Sequence, residues 1–259
     1  MYRIGLCYNQ RASMRTVLVV LFFVLVVVGG LPFILFCMIA GRREALMAYG
    51  LGAAGAARRI LGIEVRTSGR DRLAPGVPYV FMPNHQSFLD GPLVMLLVPG
   101  RARVILKQSI LRVPIVGQAM RFVGFVPVDR KGAEGGKKSI ARAAALMRER
   151  GYSFLIFPEG TRSRDSNLGP FRRGGFFLAL ESGAPIIPVT IRGTRELMPK
   201  GQWFARRGKV EVVFHDPVPT GGVTIEAMSG LMERVKAAIL ISERSPEQGE
   251  PGKIEGNAA

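Results

Sequence analysis

Val77-Pro78-Tyr79-Val80-Phe81-Met82-Pro83-Asn84-His85-Gln86-Ser87-Phe88-Leu89-Asp90 is the stretch on which the reading of this chain turns. Its first half is an unbroken apolar run, the pattern of a strand buried on both faces. Its second half supplies a short loop and then the start of a helix. Ser87 is the candidate N-cap, and Asp90 falls in the first helical turn, where a carboxylate is favoured. Pro92 is tolerated that early in a helix. The same stretch places two chemical groups. On a regular helix, residues five apart would point about 140° away from each other. A turn between strand and helix instead lets His85 and Asp90 face one another. Imidazole is the usual general base near neutral pH. A carboxylate on its other ring nitrogen fixes the tautomer and stabilises the imidazolium. The chain has only two histidines. A His-x4-Asp pair by itself is more often a loop histidine beside an unrelated helix start, so the weight falls on the remaining sequence.

Outward from this stretch, strand-like runs alternate with helical patterns. The strands are expected at 79–82, 104–106, 125–128, 154–157, 186–191 and 210–214, and the helices at 89–98, 115–123, 138–149, 174–182 and 225–241. The alternation predicts an α/β fold, a mixed or largely parallel sheet flanked by helices, with ligands at strand carboxyl ends. We divide the chain into a membrane-associating segment (1–62), a catalytic domain (63–241) and a disordered tail (242–259). The tail is polar and rich in Gly, Pro and Glu.

Composition narrows the partners. The 259 residues are 48% apolar and carry a formal net charge of +17. Such an excess calls for an anionic partner: nucleic acid, a phospholipid surface or a phosphorylated substrate. Aromatics do not interleave with the basic residues, and no nucleic-acid module is visible, so nucleic acid is set aside. Cys7 and Cys37 form neither a disulfide framework nor a zinc spacing, which fits a reducing compartment and no metal. Residues 16–40 contain no charge and are long enough to span a bilayer. Gly29-Gly30-Leu31-Pro32 interrupts them, and arginines flank both ends. The expectation is a kinked span or, with a slight preference, a hairpin dipping into one leaflet. Residues 44–62 suggest a second, interfacial helix.

Three further segments carry chemistry. Phe157-Pro158-Glu159-Gly160-Thr161-Arg162-Ser163 follows an apolar run, so backbone N–H groups, hydroxyls and a guanidinium gather at a strand end. That set suits a phosphate, which arginine grips bidentately. Gly124-Phe125-Val126-Pro127-Val128-Asp129-Arg130 ends in a second guanidinium. Ala184-Pro185-Ile186-Ile187-Pro188-Val189-Thr190 reads as a buried strand. Lys107, Arg172 and Arg173 add positive charge near these ends. Residues 132–139 imitate a phosphate loop, but Lys137 occupies the glycine position. His215 is expected at the surface.

Taken in order, these blocks resemble the glycerolipid acyltransferase family, particularly its lysophosphatidic acid acyltransferases. The likeness carries the His-x4-Asp motif and covers residues 63–220. It implies acyl transfer from acyl-CoA or acyl carrier protein to the free hydroxyl of lysophosphatidic acid, giving phosphatidic acid, with no other cofactor. His85 would be the base and Asp90 its orienter. Arg130, Glu159, Gly160, Thr161 and Arg162, with Lys107, would hold the acceptor. Glu159 would orient the arginines or the glycerol hydroxyls, since a carboxylate repels phosphate. The chain departs from the family at Gln108-Ser109, where a glutamate often follows the lysine. No Gly-x-Ser-x-Gly or other activated nucleophile is present, so transfer is expected to be direct. The resemblance implies a site at the cytoplasmic (inner) membrane, facing the cytoplasm. The competing readings are a different lysolipid acceptor such as lyso-ornithine lipid, a thioesterase, and a non-catalytic lipid-binding protein.

Overall fold

The computed structural model describes residues 2–128, 133–163 and 167–244. The apolar run that opens the argument becomes the middle strand of a seven-stranded sheet. In chain order the strands are β1 (Ile63–Ser68), β2 (Val80–Pro83), β3 (Ala102–Lys107), β4 (Val126–Val128), β5 (Ser153–Leu155), β6 (Ile186–Arg192) and β7 (Gly208–Phe214). Across the sheet they lie in the order β1-β7-β6-β2-β5-β3-β4. From β6 to β4 all neighbours are parallel. β7 turns back antiparallel to β6, and β1 runs parallel to β7. The carboxyl ends of β2, β5, β3 and β4, which precede the chemistry-bearing segments, therefore line one edge of the sheet.

Both faces of the sheet are covered, which is why β2 reads as continuously apolar. The helices are α1 (Tyr2–Gly29), α2 (Leu31–Ile39), α3 (Arg43–Leu61), α4 (Asp90–Leu97), α5 (Val116–Val123), α6 (Ala133–Arg150), α7 (Gly174–Ser182), α8 (Thr194–Leu197) and α9 (Met228–Arg244). Phe81 turns toward the core shared with Leu46 of α3, Val94 of α4 and Val123 of α5. Its neighbours Val80 and Met82 turn the other way, toward Ala143 of α6, Phe176 of α7 and Val235 of α9. This is the period-two alternation of a strand, with an apolar partner on each side. Each such fully buried side chain contributes about 1.5–3 kcal/mol.

Every expected strand is present, and β1 is additional. Ile63-Glu64-Val65-Arg66-Thr67-Ser68 alternates only weakly and becomes a strand by pairing with β7, 145 residues away at its first pair, Ile63 with Gly208. Ser87 does not cap α4. It precedes the helix start by three residues, its Oγ accepting from Leu89 N–H (3.2 Å) and donating to the Met198 carbonyl (2.7 Å). The expected helix at 44–62 forms as α3, and one face of it turns into the core. Leu46, Met47, Ala53, Ala57 and Leu61 are all buried.

Among the described residues no single helix is long and apolar enough to cross a membrane. Residues Ser13–Gly29 with Leu31–Ile39 pass together on length and composition, bent by 51°. The bend sits at Gly30, where α3 comes close. The Tyr49 hydroxyl donates to the Val26 carbonyl at 2.7 Å, and a Cβ on Gly30 would lie 2.1 Å from that hydroxyl oxygen. Of the expected tail, residues 245–259 lie outside the described residues.

Candidate active site

His85 and Asp90 meet where β2 hands over to α4. As the chain leaves the sheet, the Asn84 side chain extends the β2–β6 ladder. Its amide donates to the Ile191 carbonyl (3.0 Å) and its oxygen accepts from Ile191 N–H (2.7 Å). That anchor frees the next backbone step to turn outward. Asp90 is fully buried, and its Oδ2 accepts from Gln86 N–H and Ser87 N–H, both at 2.7 Å. The same oxygen lies 2.8 Å from His85 Nδ1. An oxygen already collecting backbone donors acts as the acceptor here too. The ring proton therefore sits on Nδ1, leaving the Nε2 lone pair for chemistry. The imidazole stacks on Phe157, with ring centroids 3.8 Å apart and planes at 20°. Its orientation is thus held from two directions.

The second loop is locked to the first. Glu159 is 5% exposed, and its carboxylate accepts from His85 N–H (2.8 Å) and Gly169 N–H (2.9 Å). Ser163 N–H returns a bond to the His85 carbonyl at 2.8 Å. Glu159 therefore sits behind the site as a brace between loops. Gly160 has φ +70°, and a Cβ there would lie 2.7 Å from Arg172 Cδ and Nε. Only glycine lets the Arg172 stem cross the turn so closely. The Arg162 guanidinium lies 3.8 Å over the Phe88 ring. Burial lowers its pKa, against which the Asp90 charge acts, so this cation and the His85–Asp90 pair are electrostatic neighbours. Arg162 Nη1 is buried without a hydrogen-bond partner among the described residues. Lys200 reaches in from the segment after α8, donating to the Arg162 carbonyl at 2.7 Å.

A cavity of about 1690 Å³ opens on this assembly. His85, Lys107, Thr161, Arg162 and Arg172 line its polar end, while α1, α3 and α5 supply apolar walls such as Val26, Ala54 and Met120. Of the residues singled out in the sequence, His85, Lys107, Gly160, Thr161 and Arg162 all border the cavity, and Asp90 and Glu159 stand just behind. Arg130 lies outside the described residues. Sequence reasoning passed over Asn84, Phe88, Phe157 and Lys200 as separate contributors. Arg172 registered only as nearby charge; its place beside the left-handed glycine at 160 depends on the fold. His215, expected at the surface, is half-buried: its Nε2 lies 2.8 Å from Thr190 Oγ, itself bonded to the Ile239 carbonyl. Among the described residues no group of three or more His, Cys, Asp or Glu side chains could hold a metal ion.

A sheet presenting a His–Asp pair and a guanidinium at adjacent strand ends, above an apolar-walled cavity, defines the class: an α/β fold with a candidate general-base site. Residues 64–192 match the family described as Acyltransferase. The 1-acyl-sn-glycerol-3-phosphate acyltransferase BAT2 of Brassica napus is 39% identical over 143 residues, covering 54% of this chain and 41% of that protein. The alpha form of the human 1-acyl-sn-glycerol-3-phosphate acyltransferase is 32% identical over 181 residues, 70% of this chain and 64% of its own. The chain thus spans less than two thirds of the length of these relatives. The crystal structure of the 1-acyl-sn-glycerophosphate acyltransferase PlsC of Thermotoga maritima superposes with a TM-score of 0.73 at 27% identity, covering 92% of this chain and 99% of that one. The chain belongs to the acyltransferase family that the match over residues 64–192 defines.

Proposed function

We propose that this chain is a membrane-associated O-acyltransferase. It moves a fatty acyl group from acyl-CoA or acyl carrier protein to the free hydroxyl of 1-acylglycerol-3-phosphate, giving phosphatidic acid. One observation carries the reading: His85 Nδ1 is held 2.8 Å from buried Asp90, at the polar end of a large apolar-walled cavity. Nε2 takes the acceptor's hydroxyl proton as its oxygen attacks the thioester carbonyl. The tetrahedral intermediate then collapses, the C–S bond breaks, and the departing thiolate recovers the proton from the imidazolium. Asp90 stabilises that transient charge. Arg162 and Lys107, with Arg130, hold the acceptor phosphate. Thr161 and Gly160 shape the turn that presents them, and Glu159 fixes the loop carrying His85. The apolar walls take acyl chain. The relatives described above, which are named for the same acceptor, add support. We place the chain at the cytoplasmic membrane with its site toward the cytoplasm, on the strength of its net charge of +17 and apolar N-terminus.

The test is an assay of the purified full chain against a panel of lysolipids, with acyl-CoA and acyl carrier protein as alternative donors. Phosphatidic acid should form fastest from 1-acylglycerol-3-phosphate, and thiol release should require acceptor. His85→Ala should lower kcat by roughly 10²–10⁴-fold with the fold intact. Full-rate thiol release without acceptor would make the chain a hydrolase, and undiminished turnover in the variant would remove the base.

A further inference from the structure

The loop of residues 198–207, between α8 and β7, carries the only tryptophan in the chain. Trp203 is 74% exposed and its neighbour Phe204 is 43% exposed. Two large rings side by side in water are unfavourable, so something must hold them there. Backbone bonds do so. Gln202 N–H donates to the Pro199 carbonyl (3.1 Å) and Arg206 N–H to the Leu197 carbonyl (2.9 Å). Between the rings and Arg206, Ala205 is buried, its N–H donating to Thr16 Oγ of α1 at 3.0 Å. The loop is fastened at its base, and its tip is presented outward.

The point of fastening gives the tip its meaning. Thr16 is where the uncharged stretch of the N-terminal helix begins. Immediately beyond it Val17, Leu18, Leu21, Val24, Leu25 and Val28 are all exposed. The aromatic tip is thus joined to the near end of a long apolar surface. Basic groups follow directly: Arg206 and Arg207 are exposed. Arg15 approaches Arg207, since a Cβ on Gly62 would lie 2.9 Å from Arg15 Nη1 and 3.2 Å from Arg207 Cβ. Indole beside guanidinium, at the boundary between an apolar and a charged surface, is the composition of a membrane–water interface. Rings sit at headgroup depth there, and arginines meet anionic phosphates. On the other flank, Trp203 lies 6.5 Å from the Phe88 ring, which borders the cavity.

We infer that Trp203 and Phe204 form a second membrane contact, entering the headgroup–acyl boundary of an anionic bilayer while Arg206 and Arg207 engage its phosphates. This rests on the membrane association proposed above and adds to it a second, separate point of attachment beside the mouth of the site. Two attachments, α1–α2 and this loop, fix the rotation of the domain on the surface, so that the cavity mouth faces the lipid acceptor.

The single tryptophan makes the unmodified chain its own reporter. Purified protein is added to vesicles of equal parts phosphatidylcholine and phosphatidylglycerol, and flotation measures association independently of the loop. With the protein floating, Trp203 emission should shift to the blue and lose access to aqueous acrylamide. Lipids brominated near the carbonyl end of the acyl chain should quench it more than lipids brominated near the methyl end. A chain that floats while Trp203 stays open to acrylamide and unquenched overturns the loop contact and leaves the N-terminal attachment standing. A chain that does not float overturns both. Emission already blue-shifted without lipid, and dependent on protein concentration, assigns the tip to a second copy of the chain and likewise overturns the proposal.

Discussion

Asn84 does with its side chain what a strand does with its backbone, and the geometry of the neighbouring His85 depends on it. The pairing of His85 with Asp90 was legible in the sequence because both lie in one strand–turn–helix unit, where local chemistry dictates the turn. The roles of Asn84 and Glu159 were not, because their partners Ile191 and Gly169 reach them only through the fold. His215 shows the same dependence. Its sequence setting, a strand end, suggests exposure, but the ring is half-buried against Thr190, which itself bonds to the Ile239 carbonyl of α9. Burial, then the Arg72 charge, pull its pKa from 6.5 down to about 4, against a smaller opposing effect of Asp216. The unfolded chain therefore binds a proton near pH 6.5 that the folded chain refuses until about pH 4. Stability from this group is complete above the first value and is lost progressively as the pH falls toward the second. The Tm should drop across that window, and His215→Gln should shrink the drop. Equal drops in the two proteins would show that other groups carry the acid sensitivity.

At the scale of elements, α3 is tied to the sheet by charge as well as by apolar packing. Arg103 of β3 is fully buried. It donates to Glu44 Oε1 of α3 (2.6 Å), to the Ala102 carbonyl (2.8 Å) and to the Val123 carbonyl, with the Tyr152 ring 4.0 Å from its guanidinium. The Tyr152 hydroxyl also donates to Glu44 (3.1 Å). Arg101 reaches the same carboxylate at 3.4 Å from an exposed position. The two arginines should behave differently. Glu44→Ala leaves Arg103 charged and buried without its carboxylate, though the carbonyl partners remain and Glu44 is itself 40% exposed, and should cost about 1.5–3 kcal/mol in denaturant unfolding. Arg101→Ala should cost under about 1 kcal/mol, because water screens that pair. Comparable losses would contradict the burial argument. The helical pattern of residues 44–62 was readable, but the destination of its apolar face was not. An amphipathic helix can turn that face to lipid or to a core, and only the positions of α4, α5 and Arg103 choose between them.

For the whole molecule, the governing quantities are a formal net charge of +17 and the apolar bent helix pair at the N-terminus. The charge should draw the chain to anionic lipid over long range, and salt should weaken that attraction. Raising ionic strength from about 0.01 M to about 1 M shortens the screening length from roughly 30 Å to 3 Å. Initial rates on phosphatidylglycerol-containing vesicles should therefore fall severalfold over that range, while rates on phosphatidylcholine alone change little. Identical salt profiles on both surfaces would remove charge from the account of membrane targeting.

By itself the sequence determined the alternation of strands and helices, the His85–Asp90 turn, the basic turn around Arg162 and the apolar N-terminal run. All of these follow from periodicity and from groups within a few residues of one another. The tertiary structure alone decided the order of strands, the conversion of Ile63–Ser68 into an edge strand, the inward face of α3, the brace formed by Glu159 and the outward presentation of Trp203. Each of these depends on a partner tens of residues or more away or across a strand pairing, and no local pattern specifies which distant surface a side chain will meet.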